Sequence, residues 1–322
     1  MIGFLSYIFE KITNFRNNKF DKGKIPIYKL DIPVISVGNI SVGGTGKTPF
    51  VIMLAKYLIS IGKYPGIVGR GYGRKSKDDV TVSNGSVINY NTDECGDEMV
   101  LIADKTNVPV IAGEKKWSAA IKLCNEFRIS VLLIDDGFQH RYLHRDLDII
   151  LIDEHTLAKP FTMPKGLLRE SLNNYKRADL VCLKGDLDKS RFIDKATINY
   201  RNDAILVDKK INNSEIKGTI VVASIAKPLN FFNTLNDLKI DYKIKSIFKD
   251  HHRYTLDDIQ KIISKMKLNN CNTIITTEKD FVKLNQFSKQ IDDLNFNLFT
   301  IPIETVVYKG LDIFKNKIDS IL

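Results

Sequence analysis

Short apolar runs alternate along the chain with longer stretches whose apolar positions recur at helical spacing, the signature of strands feeding helices. Val34, Ile35 and Val37 form the first run, which passes through a glycine-rich turn into a helical pattern over Pro49–Ile61. Further strands are expected at Gly66–Arg70, Val108–Ala112, Ile129–Ile134, Asp148–Ile152 and Asp179–Leu183, with helices at Met99–Ala103 and Glu114–Phe127. Val80–Asn91 reads as a pair of short strands, and Trp117 as a core residue. This alternation, kept to about residue 184, predicts an α/β fold with a mainly parallel sheet sandwiched by helices. From Gly185 to Lys217 the pattern loosens into Asn, Asp and Lys. A second, smaller α/β unit then begins, with strands at Thr219–Ala223, Tyr242–Phe248 and Thr273–Ile275 and helices at Pro228–Leu238 and Leu256–Met266. The division expected is a helix over 1–20, a larger domain over 21–212 and a smaller one over 213–322 that closes over the site, with its last helix free to pack back on the larger domain. The N-terminal segment places Phe4, Leu5, Ile8, Phe9, Ile12 and Phe15 on one stripe, with Glu10, Lys11, Asn14, Arg16 and Asn18 off it. Such an amphipathic helix either packs on the domain or dips into a lipid headgroup layer, and its exposure distinguishes the two.

The first turn carries the chemistry. Gly43, Gly44, Thr45, Gly46, Lys47 and Thr48 lie between a strand and a helix, as in a phosphate-binding P-loop, although Ser41 stands at the first glycine position. Backbone N–H groups there would wrap phosphates, Lys47 would neutralise their β/γ oxygens and the Thr48 hydroxyl would ligate Mg²⁺. Ile129–Ile134 ends in Asp135 and Asp136, the form of a buried strand that delivers a carboxylate beside that ion. Asp93, Glu94, Asp97 and Glu98 crowd one helix start, more acids than capping requires, so Asp97 and Glu98 are candidates for proton transfer or metal duty. The glycine-rich basic loop containing Arg70 and Arg74 reads as an arm over phosphates. His140, Arg141, His144 and Arg145 suit contacts to phosphate or sugar hydroxyls. In the second unit His251 follows a strand at a loop edge where it could pair with a carboxylate, and Lys279 and Asp280 open a helix in position for ligand contact.

Composition narrows the class. A chain of 322 residues, 43% hydrophobic and 27% charged, belongs to a soluble globular protein. Its net charge of +10 favours an anionic partner without choosing between nucleic acid, a phosphorylated small molecule and a membrane face. Four scattered cysteines, Cys95, Cys124, Cys182 and Cys271, argue against a zinc or disulfide framework and for a reducing compartment. No apolar run is long enough to span a bilayer, and Glu10 and Lys11 interrupt what would be a signal peptide.

In order and spacing, these segments resemble the lipid A 4′-kinases (tetraacyldisaccharide 4′-kinases) over nearly the whole chain. The resemblance rests on Ser41–Pro49, Gly69–Arg74, Gly96–Glu98, Asp135–His140, Leu168–Glu170, Asp250–His251 and Thr276–Asp280. It implies transfer of the ATP γ-phosphoryl group to the 4′-hydroxyl of a tetraacylated glucosamine disaccharide 1-phosphate. It also implies a peripheral enzyme on the cytoplasmic face of the inner membrane, touching anionic lipids and no nucleic acid, with Mg²⁺ as cofactor. Matched residue by residue, Asp97 is similar to the family's general base with His251 as its partner, and Lys47 holds the phosphates. Thr48, Glu98 and Asp135 or Asp136 hold Mg²⁺, and His140, Arg141 and Glu170 lie near the acceptor. Two departures stand out: Met99 and Ser171 replace prolines that usually follow the Glu98 and Glu170 positions, which removes a backbone constraint at each. The rival readings are a P-loop switch or assembly ATPase acting on a protein partner, and a soluble sugar or nucleoside kinase.

Overall fold

Helix α1 (Ile2–Asp21) precedes a strand, β1 (Val34–Asn39), in which every residue is buried. Such a strand needs partners on both edges and cover on both faces. The chain continues as α2 (Lys47–Ser60), β2 (Pro65–Gly69), β3 (Val80–Asn84), α3 (Thr92–Cys95), α4 (Asp97–Thr106), β4 (Pro109–Ala112) and α5 (Lys116–Glu126). Next come β5 (Val131–Asp135), β6 (Leu147–Ile152), α6 (Glu154–Ala158), β7 (Leu180–Lys184) and β8 (Ala196–Ala204). Then follow β9 (Thr219–Ala223), α7 (Pro228–Asp237), β10 (Ile244–Ile247), α8 (Leu256–Leu268), β11 (Thr273–Thr277), α9 (Glu278–Leu284), β12 (Asn297–Ile301), β13 (Ile303–Lys309) and a C-terminal helix, Leu311–Asp319. The computed structural model describes residues 1–205, 218–288, 291 and 296–322; the expected boundary at 212/213 lies outside them.

The described strands form two sheets. The larger runs β13-β8-β7-β6-β1-β5-β2-β4-β3, parallel except at its ends, where β13 pairs antiparallel with β8 and β3 with β4. The smaller runs β10-β9-β11-β12, parallel throughout. Chain order reverses at β1, whose neighbours are β5 and β6, and the crevice at the carboxyl ends beside such a reversal is where open α/β sheets bind ligands. One core layer gathers Phe50, Leu54, Met99, Ile102, Leu133 and Ile149 under α2 and α4. The other face is closed by Ala119, Ala120 and Leu123 of α5 and by a separate cluster around Phe138 and Phe192.

Two expectations fail locally. Val80–Asn91 is not a strand pair: β3 alone joins the sheet, against β4, and Ile88 meets Ser83 only in an isolated bridge. Residues 196–204, expected to be loose, form β8, in which Ile198 and Tyr200 face the core while Arg201 stays in water. β13 then returns to pair with β8, and Phe314 of the C-terminal helix packs on Phe50 with ring centroids 6.1 Å apart. Trp117 is half-buried, stacked on Tyr28 at 4.4 Å.

α1 is largely uncovered. Phe4, Ile12 and Phe15 are each more than 60% exposed, whereas Ser6 and Phe20 are buried. Its anchoring is polar: Ser6 Oγ accepts from Lys165 N at 2.9 Å, Thr162 Oγ1 donates to the Ser6 carbonyl at 3.0 Å, and Arg141 donates to the Asn17 carbonyl at 3.0 Å and to Asp21 at 2.6 Å. Among the described residues no helix is long and apolar enough to cross a membrane.

Candidate active site

β1 ends in Asn39 and the chain turns through Gly43–Gly46 into α2, whose first residue is Lys47. Gly46 caps that helix at φ 90°, a left-handed conformation that glycine adopts without strain. Thr45 is buried, its Oγ1 accepting from Asn39 Nδ2 at 3.0 Å and its carbonyl from Tyr200 OH at 2.7 Å. The loop is therefore braced from β1 and from β8. Gly43 and Gly44 stay exposed, and Thr48 is half-buried in the first turn of α2.

β5 delivers two carboxylates that take different work. Asp136, at φ 53°, accepts from Arg169 at 2.9 and 3.1 Å and pairs with Lys47 Nζ at 3.4 Å, while Lys116 Nζ donates to its carbonyl. Burial works against its charge, but Lys47, Lys116 and Arg169 together hold the carboxyl far below the usual range. Asp135 is buried and its Oδ1 has no hydrogen-bond partner. Burial, then the neighbouring charges of Glu98 and Asp136, push it up to about 7. A buried, orphaned carboxylate oxygen flanked by other acids is the electrostatic setting of a divalent cation. Among the described residues no three His, Cys, Asp or Glu side chains close into a cage. This suits Mg²⁺, which takes one or two carboxylates and completes its shell with phosphate and water.

Asp97 reaches the same edge of the sheet because α4 starts against the end of β2. Gly96 caps α4 at φ 83°, and a Cβ there would fall 2.7 Å from Gly71 Cα. A Cβ on Gly69 would fall 2.4 Å from the Met99 sulfur and 3.4 Å from Asp135 Cβ. Bare backbone at these positions lets the first turn of α4 draw up beside Asp135. Met99, in place of a proline, is fully buried there.

The second unit closes on Asp97. His251 Nδ1 lies 3.1 and 3.3 Å from its two carboxylate oxygens, and Lys283 Nζ is 3.7 Å from Oδ2. Lys279 Nζ lies 3.2 Å from Glu98 and 3.0 Å from His251 Nε2. Burial of Asp97 opposes its charge, yet the His251 hydrogen bond and then Lys279 bring it below the ordinary carboxylate range. Asp280, expected to meet ligand, is fully buried instead: it accepts from Ser224 N at 2.8 Å, Thr277 Oγ1 at 2.9 Å and Lys283 Nζ at 2.9 Å. It is structural, a first-turn acid of α9 that ties the start of its own helix to Ser224.

Glu170 is buried and receives hydrogen bonds from Asn17 and Gln139 at 2.9 Å, Asn174 at 2.8 Å and Arg177 at 3.0 Å. The loosening expected from Ser171 is thus offset, since the Ser171 carbonyl accepts from Asn174 N at 3.0 Å and starts a tight turn. His140 Nε2 accepts from Trp117 N at 3.2 Å, and burial, then Lys116 and Arg145, push its imidazole down to about 3. Arg141 is spent on α1. Arg70 faces solvent 3.9 Å from Glu114, and Arg74 donates to the carbonyls of Arg70 and Asp78 in its own loop, so neither contacts the carboxylate cluster.

The sequence model of the family described as Tetraacyldisaccharide-1-P 4′-kinase matches residues 1–322. This chain belongs to that family. Proteins named tetraacyldisaccharide 4′-kinase from Vibrio parahaemolyticus and Francisella tularensis subsp. novicida are 32% and 34% identical to it, each over 88% of this chain and over 83% and 89% of their own. A crystal structure of LpxK from Aquifex aeolicus in complex with ATP superposes with a TM-score of 0.82 at 32% identity, covering 98% of this chain and 97% of that one. The chain is thus a lipid A biosynthesis kinase, and the switch-ATPase reading falls away. Sequence reasoning gave no role to four residues that the fold brings beside these groups: Lys116 and Asn17, and Gln139 and Arg169, which it counted only within the segments of the resemblance. Lys116 and Asn17 sit on helices where a polar side chain ordinarily reads as solvated, and only the fold turns them inward.

Proposed function

We propose that the chain transfers the γ-phosphoryl group of ATP to the 4′-hydroxyl of a tetraacylated glucosamine disaccharide 1-phosphate, working peripherally on the cytoplasmic face of the inner membrane. The observation that carries this reading is the Asp97–His251 pair, made across the two units beside the Glu98–Asp135 carboxylates. A switch ATPase needs no such pair. Here Asp97 takes the hydroxyl proton as the oxygen attacks in line, and His251 steadies the carboxylate. Lys47 and the backbone of Gly43–Thr48 hold the phosphates, with Asp136 and Arg169 orienting Lys47. Thr48, Asp135 and Glu98 would hold Mg²⁺; when bound, the ion neutralises charge on the transferring phosphate. Gln139, His140 and Glu170 line the acceptor side, and Arg70 and Arg74 form the rim over the nucleotide. The exposed apolar stripe of α1 supports seating in the headgroup layer, where aromatic and basic residues on opposite faces are favoured.

The test is incubation with ATP, Mg²⁺ and the disaccharide 1-phosphate lipid, read by mass. A gain of one phosphate is expected, and Asp97→Ala should abolish it while nucleotide still binds. Unchanged transfer by that variant would remove Asp97 from the mechanism.

A further inference from the structure

The two ring nitrogens of His251 have different partners. Nδ1 faces Asp97, and Nε2 lies 3.0 Å from Lys279 Nζ. An ammonium has only hydrogens to give, so Nε2 must accept, and a neutral ring then carries its proton on Nδ1 and donates it to Asp97. Lys279 is itself held. It stands on the first turn of α9, its ammonium 3.2 Å from Glu98 and 4.0 Å from Asp97. A second proton on the imidazole would set two donors against each other at that distance. The backbone of His251, at φ 57°, is fixed separately by its N–H, which donates to the Ser224 carbonyl at 3.2 Å.

We propose that Lys279 is a positioning residue for phosphoryl transfer: it fixes His251 in the tautomer that donates to Asp97, leaving the remaining carboxylate lone pairs free for the acceptor hydroxyl. This deepens the reading of Asp97 as proton acceptor and rests on it. In the step itself the hydroxyl proton passes to Asp97 as its oxygen bonds the γ-phosphorus and the bond to the β,γ-bridging oxygen breaks. The imidazole keeps one proton throughout. The opposite tautomer would aim a lone pair at the carboxylate and turn Asp97 from its place. Because Lys279 and His251 both come from the second unit, their contact is made within it, and closure onto the first unit brings the ring so arranged to Asp97.

The tautomer is directly measurable in the full-length protein by ring-¹⁵N NMR of histidine-labelled samples, with His251 assigned by loss of its signals in His251→Gln. The expected wild-type spectrum has a protonated Nδ1 and an unprotonated Nε2. In Lys279→Met the two tautomers should mix and kcat should fall roughly 10²-fold, with the nucleotide KM within about twofold. Lys279→Arg, which still donates, should retain the tautomer and most of the rate. A wild-type proton on Nε2, or wild-type kcat in Lys279→Met, overturns the proposal. Failure of the underlying reading looks different: Asp97→Asn and His251→Gln would then leave kcat intact while the wild-type ring signals still report Nδ1–H.

Discussion

Asp135 and Asp136 are neighbours in sequence and opposites in environment. Asp136 turns through a left-handed conformation toward Lys47 and Arg169, while Asp135 remains on the strand with an unpartnered oxygen. A carboxylate held at such a cost is stability given up for function. Asp135→Asn should therefore raise thermal stability measured without divalent cation, by about 1 kcal/mol or roughly 2 to 4 °C, while lowering kcat by at least about 10²-fold. Calorimetry and the kinase assay check the two halves; a variant that is less stable and fully active would refute both. His140 makes a pH prediction. Its folded-state value, pushed down to about 3, lies below the ordinary 6.5. Protonation then favours the unfolded chain, so this group is neutral for stability above about pH 6.5 and takes stability away as pH falls from there toward 3. Urea midpoints at pH 7 and pH 5 should drop further for the wild type than for His140→Gln, whose amide oxygen can still accept from Trp117 N–H.

At the scale of elements, α1 is amphipathic in an inverted sense: its polar side is the one that docks. Ser6 and Asn17 hold it to the 161–170 segment, and Phe4, Ile12 and Phe15 face outward. Burying one phenylalanine is worth about 2 kcal/mol, so Phe4→Glu/Phe15→Glu should weaken binding to anionic vesicles by at least about 10²-fold. Flotation with vesicles measures it, and the thermal midpoint should hardly move because neither ring packs on the domain. Retained vesicle binding would exclude α1 as the anchor. The same helix shows what was legible beforehand. Its stripe could be read from spacing, but whether the stripe faces protein or solvent depends on what else the fold supplies. β1, β5 and β6 were legible because strands buried on both faces read as nearly continuous apolar runs, broken here only by Ser36, Gly38, Asn39, Asp135 and Asp148. β8 was not, since it alternates Ile198 and Tyr200 with Asn199 and Arg201 near the sheet edge, and β13 reaches it only through pairing across about a hundred residues of chain. The P-loop could be read because its chemistry is local, whereas the Asp97–His251 pair spans 154 residues and took the family resemblance to anticipate.

For the whole molecule, the junction between the two sheets is mostly ionic. Lys105 pairs with Glu278 at 2.7 Å, Lys279 with Glu98 at 3.2 Å and Arg253 with Asp93 at 3.3 Å, while Val282 of α9 is the apolar plug in the larger core. A junction of this kind resembles a transient interface more than a core, and it can open and close at modest cost. It must be closed for His251 to meet Asp97, so weakening it at a distance should slow the reaction. Lys105→Glu tests this away from the reacting groups by setting a second carboxylate against Glu278, and like charges apposed at an interface cost several kcal/mol before screening. The variant should lose about tenfold or more in kcat/KM at low ionic strength, and the deficit should shrink as salt is added. Adding Glu278→Gln should recover most of the loss, because the amide keeps an oxygen for the Ile303 N–H, 3.0 Å away, and can donate to the new carboxylate. If Lys105→Glu were as active as the wild type at low salt, or if the second change failed to rescue it, apposition of the two units at this seam would not be the form in which phosphoryl transfer occurs.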